Sequence, residues 1–109
     1  MRALFWINDG DYNTTCFKIA HSLSTQTLCV QLAEECAELA QAALKVTRNI
    51  GKVNKSRKTP DESLKDLKEE IGDVLNCLNV MQIEPDCTVM KNKVERWLAA
   101  LEENRADIR

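Results

Sequence analysis

Two long stretches of the chain repeat their apolar residues with the 3.6-residue period of an α-helix. From Gln26 to Asn49, and on to the residue that follows, one stripe carries Leu28, Leu32, Leu39, Ala43, Val46 and Ile50. A second stripe, over residues 60–81, carries Leu64, Leu67, Ile71, Val74, Leu75 and Leu78. With 3 Gly and 2 Pro in 109 residues, the chain has few of the breakers that punctuate β folds. The spacing predicts an all-α protein.

Breakers and caps set the helix boundaries. Gly51 predicts the end of the first long helix, and Thr59-Pro60-Asp61-Glu62 has the pattern of a capping box with proline at the first helical position. Shorter amphipathic helices are expected over about residues 11–22 and from Pro85 onward. We expect the last helix to bury Met90, Val94, Trp97, Leu98 and Leu101. These elements predict an antiparallel four-helix bundle. It is predicted to form one domain spanning residues 1–109, in which residues 1–10 are not assigned to a helix. The apolar surface that four helices leave exposed predicts a homo-oligomer.

The composition excludes several classes of function. The chain has 15 Lys+Arg against 17 Asp+Glu, so no overall positive field attracts nucleic acid or an anionic membrane. No apolar run reaches the roughly 18 residues of a membrane span, and the N-terminal apolar run is too short for a signal peptide, so we expect a cytoplasmic protein. The five cysteines lack zinc-site spacing, and the single histidine excludes sites built on several imidazoles. Any metal is expected to have oxygen ligands.

Acidic residues interrupt both apolar stripes. On the helical wheel Glu35 lies about 20° from Leu28, with Glu38 one turn further on at the edge of the stripe. Glu70 and Asp73 interrupt the second stripe in the same way. Acids on helices are ordinarily solvated surface charge, but burying unpaired carboxylates is costly and two such pairs favour a site. Antiparallel helices bring the pairs face to face, as an all-oxygen cluster that suits Mg²⁺, with Mn²⁺ as the alternative.

A magnesium site of this kind predicts phosphoryl chemistry. Mg²⁺ prefers few carboxylates together with waters and substrate phosphate oxygens. It neutralises phosphate charge and lowers the pKa of a bound water, while a carboxylate that is not a ligand accepts the proton.

The acidic residues form a recognisable motif together with their neighbours. Glu34-Glu35-Cys36-Ala37-Glu38-Leu39 is followed by Glu69-Glu70-Ile71-Gly72-Asp73-Val74-Leu75 and by the tail Lys93-Val94-Glu95-Arg96. From about Leu28 to Leu98 the chain resembles the MazG-like group of all-α nucleoside triphosphate pyrophosphohydrolases. Its length and the Lys45–Pro60 segment are similar to short MazG-like proteins of phages and prophages.

The resemblance implies an activity and roles for the motif residues. It implies Mg²⁺-dependent hydrolysis of a nucleoside triphosphate, with a deoxynucleoside triphosphate favoured, to the monophosphate and pyrophosphate. The implied assembly is a homodimer or a homotetramer. The metal ligands would be Glu35, Glu38, Glu70 and Asp73, with Glu34 in a supporting role or as the base.

Four further residues are candidates for substrate binding: Lys45, Asn76, Lys93 and Arg96. Lys45 follows Glu38 by seven residues and so lies along the same helix face, although a simple surface lysine fits the pattern equally well. Asn76 fits either a sugar or base contact or helix packing. The basic residues Arg48, Lys52, Lys55, Arg57 and Lys58 are either solvated or assist capture of a triphosphate. Two alternatives stay open: a non-catalytic helical interaction module with a structural metal cluster, and a pyrophosphohydrolase for a phosphoribosyl nucleotide.

Overall fold

A computed structural model describes residues 7–50 and 58–104, except the side chain of Ile50. These residues form four α-helices and no strand: α1 (Gly10–Ser22), α2 (Thr25–Ile50), α3 (Pro60–Met81) and α4 (Cys87–Asn104). The all-α class and the four helices are confirmed. The helix stop at Gly51 and the basic residues Lys52, Lys55 and Arg57 lie outside the described residues. None of the described helices is both long enough and apolar enough to cross a membrane.

Side-chain caps explain where the helices begin. The predicted capping box is present, since Thr59 Oγ1 accepts from the Glu62 backbone N–H and Glu62 Oε1 accepts from the Thr59 backbone N–H, both at 3.1 Å. Asp86 caps α4 by accepting from Val89 N–H at 3.0 Å, so this helix begins two residues after Pro85. Two further caps act in the same way, at Asp9 and Ser24.

The main packing unit is the antiparallel pair of α2 and α3, and α1 packs against α3. Among the described residues the buried apolar side chains are Cys16 of α1, Ala42 of α2 and Val80 of α3. On α2 the buried alanine is Ala42 and not the expected Ala43, which is exposed. On α3, Leu64 and Ile71 were expected to face inward but are exposed, because in the described part of the chain only α1 and α2 pack against this helix.

Polar contacts anchor α1 to α3. Tyr12 donates its hydroxyl hydrogen to Asn76 Oδ1 at 2.6 Å, and Asn79 Nδ2 donates to the Tyr12 oxygen at 2.9 Å. Asn79 is only 2% exposed, so water has little access to its side chain. Buried polar groups of this kind favour one arrangement of the helices, because any other leaves them without these hydrogen bonds.

The expectation that α4 completes a bundle within one chain is wrong. In the described part of the chain, α4 packs against none of the other three helices. Trp97 is 68% exposed and Val94 61%, while Leu101 is partly covered; Met90 and Leu98 are also exposed. The radius of gyration is 17.4 Å, above the roughly 13 Å of a compact chain of this length. Helical periodicity shows that α4 has an apolar face, but it does not show which chain covers that face.

Candidate functional site

The structure brings four carboxylates together between α2 and α3. Glu35 and Glu38 are three residues apart on α2, and Glu70 and Asp73 are three residues apart on α3, so each pair shares a helix face. One oxygen atom from each of the four side chains lies within 4.8 Å of the others. The two helices run antiparallel, and this places the acidic pairs opposite each other as the sequence predicts.

The central acids of this cluster are partly removed from water. Glu35 and Glu70 are half-buried, whereas Glu38 and Asp73 are exposed. The Oε2 atoms of both Glu35 and Glu70 are buried and have no hydrogen-bond partner among the described residues. A buried carboxylate oxygen without a hydrogen-bond partner is costly. A proton or a cation bound at each of these atoms would therefore stabilise the protein.

Burial and mutual repulsion both act on the charges. Burial is the largest cause that raises the pKa of Glu35, and the charges of Glu38 and Asp73 raise it further. Burial is also the first cause of the raised pKa of Glu70, followed by the charges of Glu38, Asp73 and Glu35. The cluster therefore favours bound protons or a bound cation. Four oxygen donors and two buried oxygens without partners fit a hard divalent cation.

Gln31 is a supporting residue that the sequence analysis did not single out. Its Nε2 donates to Glu35 Oε1 at 2.9 Å from one turn earlier on α2. This bond orients the Glu35 carboxylate and lowers its pKa in opposition to the larger effect of burial. The four-residue spacing of Gln31 and Glu35 is the signal that points to it.

A polar cavity of about 340 Å³ adjoins the cluster on one side. Glu38 and Glu70 line it, and so do two basic residues, Lys45 of α2 and Lys58 just before α3. Its remaining lining residues are Gln41, Ala42, Ser63 and Asp66. Cations beside a cluster of carboxylates suit a ligand that carries both phosphates and a metal ion.

An apolar cavity of about 290 Å³ lies on the opposite side of the cluster. Gln31 connects this cavity to Glu35, and Cys77 lies one turn after Asp73. The rest of its lining comes from the three helices α1, α2 and α3 and from the residue that follows α1: Ile19, Leu23, Leu28, Asn76 and Val80. Burial raises the pKa of the Cys77 thiol, and the nearby Glu35 and Asp73 charges raise it further. The acids therefore separate a polar space that contains two lysines from a mainly apolar space without charged lining residues.

The remaining predicted site residues lie near the cluster on α2 and α3, or away from it on α4. Glu34 is exposed and lies outside the four-carboxylate cluster. Lys45 lines the polar cavity, and Asn76 lines the apolar cavity while accepting a hydrogen bond from Tyr12. Lys93 and Arg96 lie on α4, and a single chain does not bring them to the cluster in the part that the structure describes.

Comparison with models of protein families identifies the family of this chain. Residues 23–88 match the family model described as the MazG nucleotide pyrophosphohydrolase domain. The matched region is more than half of the chain and contains α2, α3 and all four clustered carboxylates. Searches of curated proteins and of solved structures each gave no match.

Proposed function

Because this chain belongs to the MazG nucleotide pyrophosphohydrolase family, we propose that it hydrolyses a nucleoside triphosphate to the monophosphate and pyrophosphate. A deoxynucleoside triphosphate is the favoured substrate. The family implies nucleotide pyrophosphohydrolysis in general. The observation that carries the proposal for this chain is the cluster of Glu35, Glu38, Glu70 and Asp73, whose oxygens lie within 4.8 Å of one another.

The cluster supports a divalent cation, Mg²⁺ or in its place Mn²⁺, held by Glu35, Glu38, Glu70 and Asp73. When bound, such a cation neutralises phosphate charge and lowers the pKa of a water molecule. The reaction joins the water oxygen to a phosphorus atom and breaks the phosphorus–oxygen bond that links the nucleoside monophosphate to the pyrophosphate, and the leaving oxygen takes up a proton. A carboxylate in or beside the cluster takes the water proton, and Glu34 is the neighbouring candidate for this or a supporting role. Gln31 holds the Glu35 carboxylate in one orientation during this step.

The two cavities suggest how the substrate is bound. The apolar cavity suits a nucleoside, and the Asn76 amide offers hydrogen-bonding groups to it. Lys45 lines the polar cavity, which supports a contact between its ammonium group and a phosphate group. This arrangement favours a nucleotide over a purely anionic ligand, because one side of the cluster carries no charged lining residue.

A homodimer, or a homotetramer built from two such dimers, would cover the apolar face of α4. In the described chain α2 also exposes apolar side chains, with Val30 54% and Leu44 62% exposed. We propose that α4 packs against such a face of a second copy, which would also bring Lys93 and Arg96 near a partner's cluster. Trp97→Glu should therefore lower the molar mass measured by light scattering. Exposed Asn92→Glu, which places a glutamate on the opposite face of α4, is the control.

Product analysis tests the activity. The protein is incubated with Mg²⁺ and a panel of nucleoside and deoxynucleoside triphosphates, and pyrophosphate is separated from orthophosphate. Pyrophosphate and monophosphate in equal amounts are expected from one or a few substrates. Release of orthophosphate would contradict the reaction class. Absence of turnover with both Mg²⁺ and Mn²⁺ would favour the non-catalytic module, and turnover of a phosphoribosyl nucleotide alone would favour the other alternative.

A further inference from the structure

Lys58, just before α3, has a defined position in the polar cavity. The Lys58 ammonium group contacts Asp66 Oδ2, two turns into the helix, and both residues line the cavity. Half of the Lys58 side chain is exposed, so a ligand in the cavity has access to it. The hydrogen bond and charge of Asp66 raise the pKa of Lys58, and the ammonium group therefore keeps its proton at neutral pH.

The order of residues along α3 gives the site a direction. Asp66 lies one turn before Glu70, which is about 6 Å at the rise of an α-helix, and Asn76 and Cys77 follow on the other side. Polar lining residues thus precede the acidic cluster on α3, and apolar lining follows it. A nucleoside bound on the apolar side would point its phosphate chain across the carboxylates toward Lys58.

We propose that Lys58 binds the terminal phosphate of the substrate, leaving Asp66 for the phosphate when the cavity fills. Asp66 then acts as a positioning residue that holds Lys58 in the cavity while no substrate is present. This inference rests on the proposed function and extends it by giving the direction of the bound triphosphate. Charge-assisted hydrogen bonds to phosphate are among the strong ones, so the contact favours triphosphates over monophosphates.

Inhibition by the two products tests the inference. Lys58→Ala is compared with Lys58→Arg and with Lys65→Ala, an exposed lysine of α3 that does not line the cavity. In Lys58→Ala we expect the KM for the triphosphate and the inhibition constant of inorganic pyrophosphate each to rise roughly tenfold or more. Inhibition by the nucleoside monophosphate should change less than about twofold, because the monophosphate does not reach Lys58. Lys58→Arg should keep most of the pyrophosphate affinity, since it keeps the charge.

Other outcomes would overturn the inference. An equal loss of pyrophosphate and monophosphate affinity in Lys58→Ala would indicate a general structural role. Asp66→Asn keeps Lys58 and removes its charged partner, so pyrophosphate should bind at least as tightly as in the wild type. A loss like that of Lys58→Ala would contradict the exchange. Thermal unfolding of each variant confirms that the fold is retained.

Direct binding separates this inference from the proposed function. If the wild type turns over no triphosphate, calorimetry with inorganic tripolyphosphate and Mg²⁺ replaces the kinetic assay. Binding to the wild type that weakens at least tenfold in Lys58→Ala, but not in Lys65→Ala, would support the Lys58 site on its own. Equal binding by all three proteins, or none by the wild type, would overturn it.

Discussion

Removing the hydroxyl of Tyr12 is expected to weaken the attachment of α1. Tyr12→Phe deletes the donor to Asn76 Oδ1 at 2.6 Å and the acceptor for Asn79 Nδ2 at 2.9 Å. Asn76 is exposed, so water replaces its lost bond at little cost. Asn79 is 2% exposed, and losing a bond where water has little access costs about 1–3 kcal/mol. We therefore expect the free energy of unfolding to fall by about 1–2 kcal/mol.

Thermal and urea unfolding measure this loss. For a domain of this size, 1 kcal/mol corresponds to a decrease in Tm of roughly 4–8 °C. The matched control is Thr15→Val. The Thr15 side chain is exposed, and its hydroxyl donates to the Asp11 carbonyl of the same helix at 2.9 Å. This control should change stability by less than about 0.5 kcal/mol. If Tyr12→Phe is as stable as the wild type, the bonds to Asn76 and Asn79 do not hold α1 against α3.

Three further predictions concern the cluster and the start of α3. Glu70→Gln should reduce turnover by about 100-fold or more, whereas the exposed neighbour Glu69→Gln should stay near wild type in the same steady-state assay. The raised pKa values of Glu35 and Glu70 mean that the folded metal-free protein holds protons that the unfolded chain has released. The free energy of unfolding of the metal-free protein should then fall as the pH rises from the ordinary glutamate pKa through the raised values. The increase in Tm caused by Mg²⁺ should grow over the same pH range. An increase in Tm that does not depend on pH would contradict this prediction. Thr59→Ala should cost about 1 kcal/mol in urea unfolding through loss of the capping box, and no measurable change would show that the cap is unimportant.

The sequence predicted the acidic cluster because both the helical period and the pairing of neighbouring helices are local rules. Glu35 and Glu70 interrupt apolar stripes, and a short connection between two long helices predicts their antiparallel packing. The Thr59 cap was predictable for the same reason, since its partner Glu62 lies only three residues away.

Contacts between distant residues were not predictable in this way. Tyr12 and Asn79 are 67 positions apart, and no spacing rule connects them. The position of α4 was also wrongly predicted, because an apolar stripe with Trp97 and Val94 fits a partner on the same chain or on another one. The role proposed for Lys58 rests on its contact with Asp66. In the sequence Lys58 is one of several basic residues, and nothing there distinguishes it from the others.

We propose that acids from α2 and α3 form one divalent-cation site. Electron paramagnetic resonance of Mn²⁺ titrated into the protein measures this binding without relying on turnover. In the wild type the signal of free Mn²⁺ should decrease until the site is saturated. Glu70→Gln should bind Mn²⁺ at least about tenfold more weakly, whereas Glu69→Gln should bind it as the wild type does. Equal Mn²⁺ binding by the wild type and Glu70→Gln would contradict the claim and would reduce the cluster to surface charge.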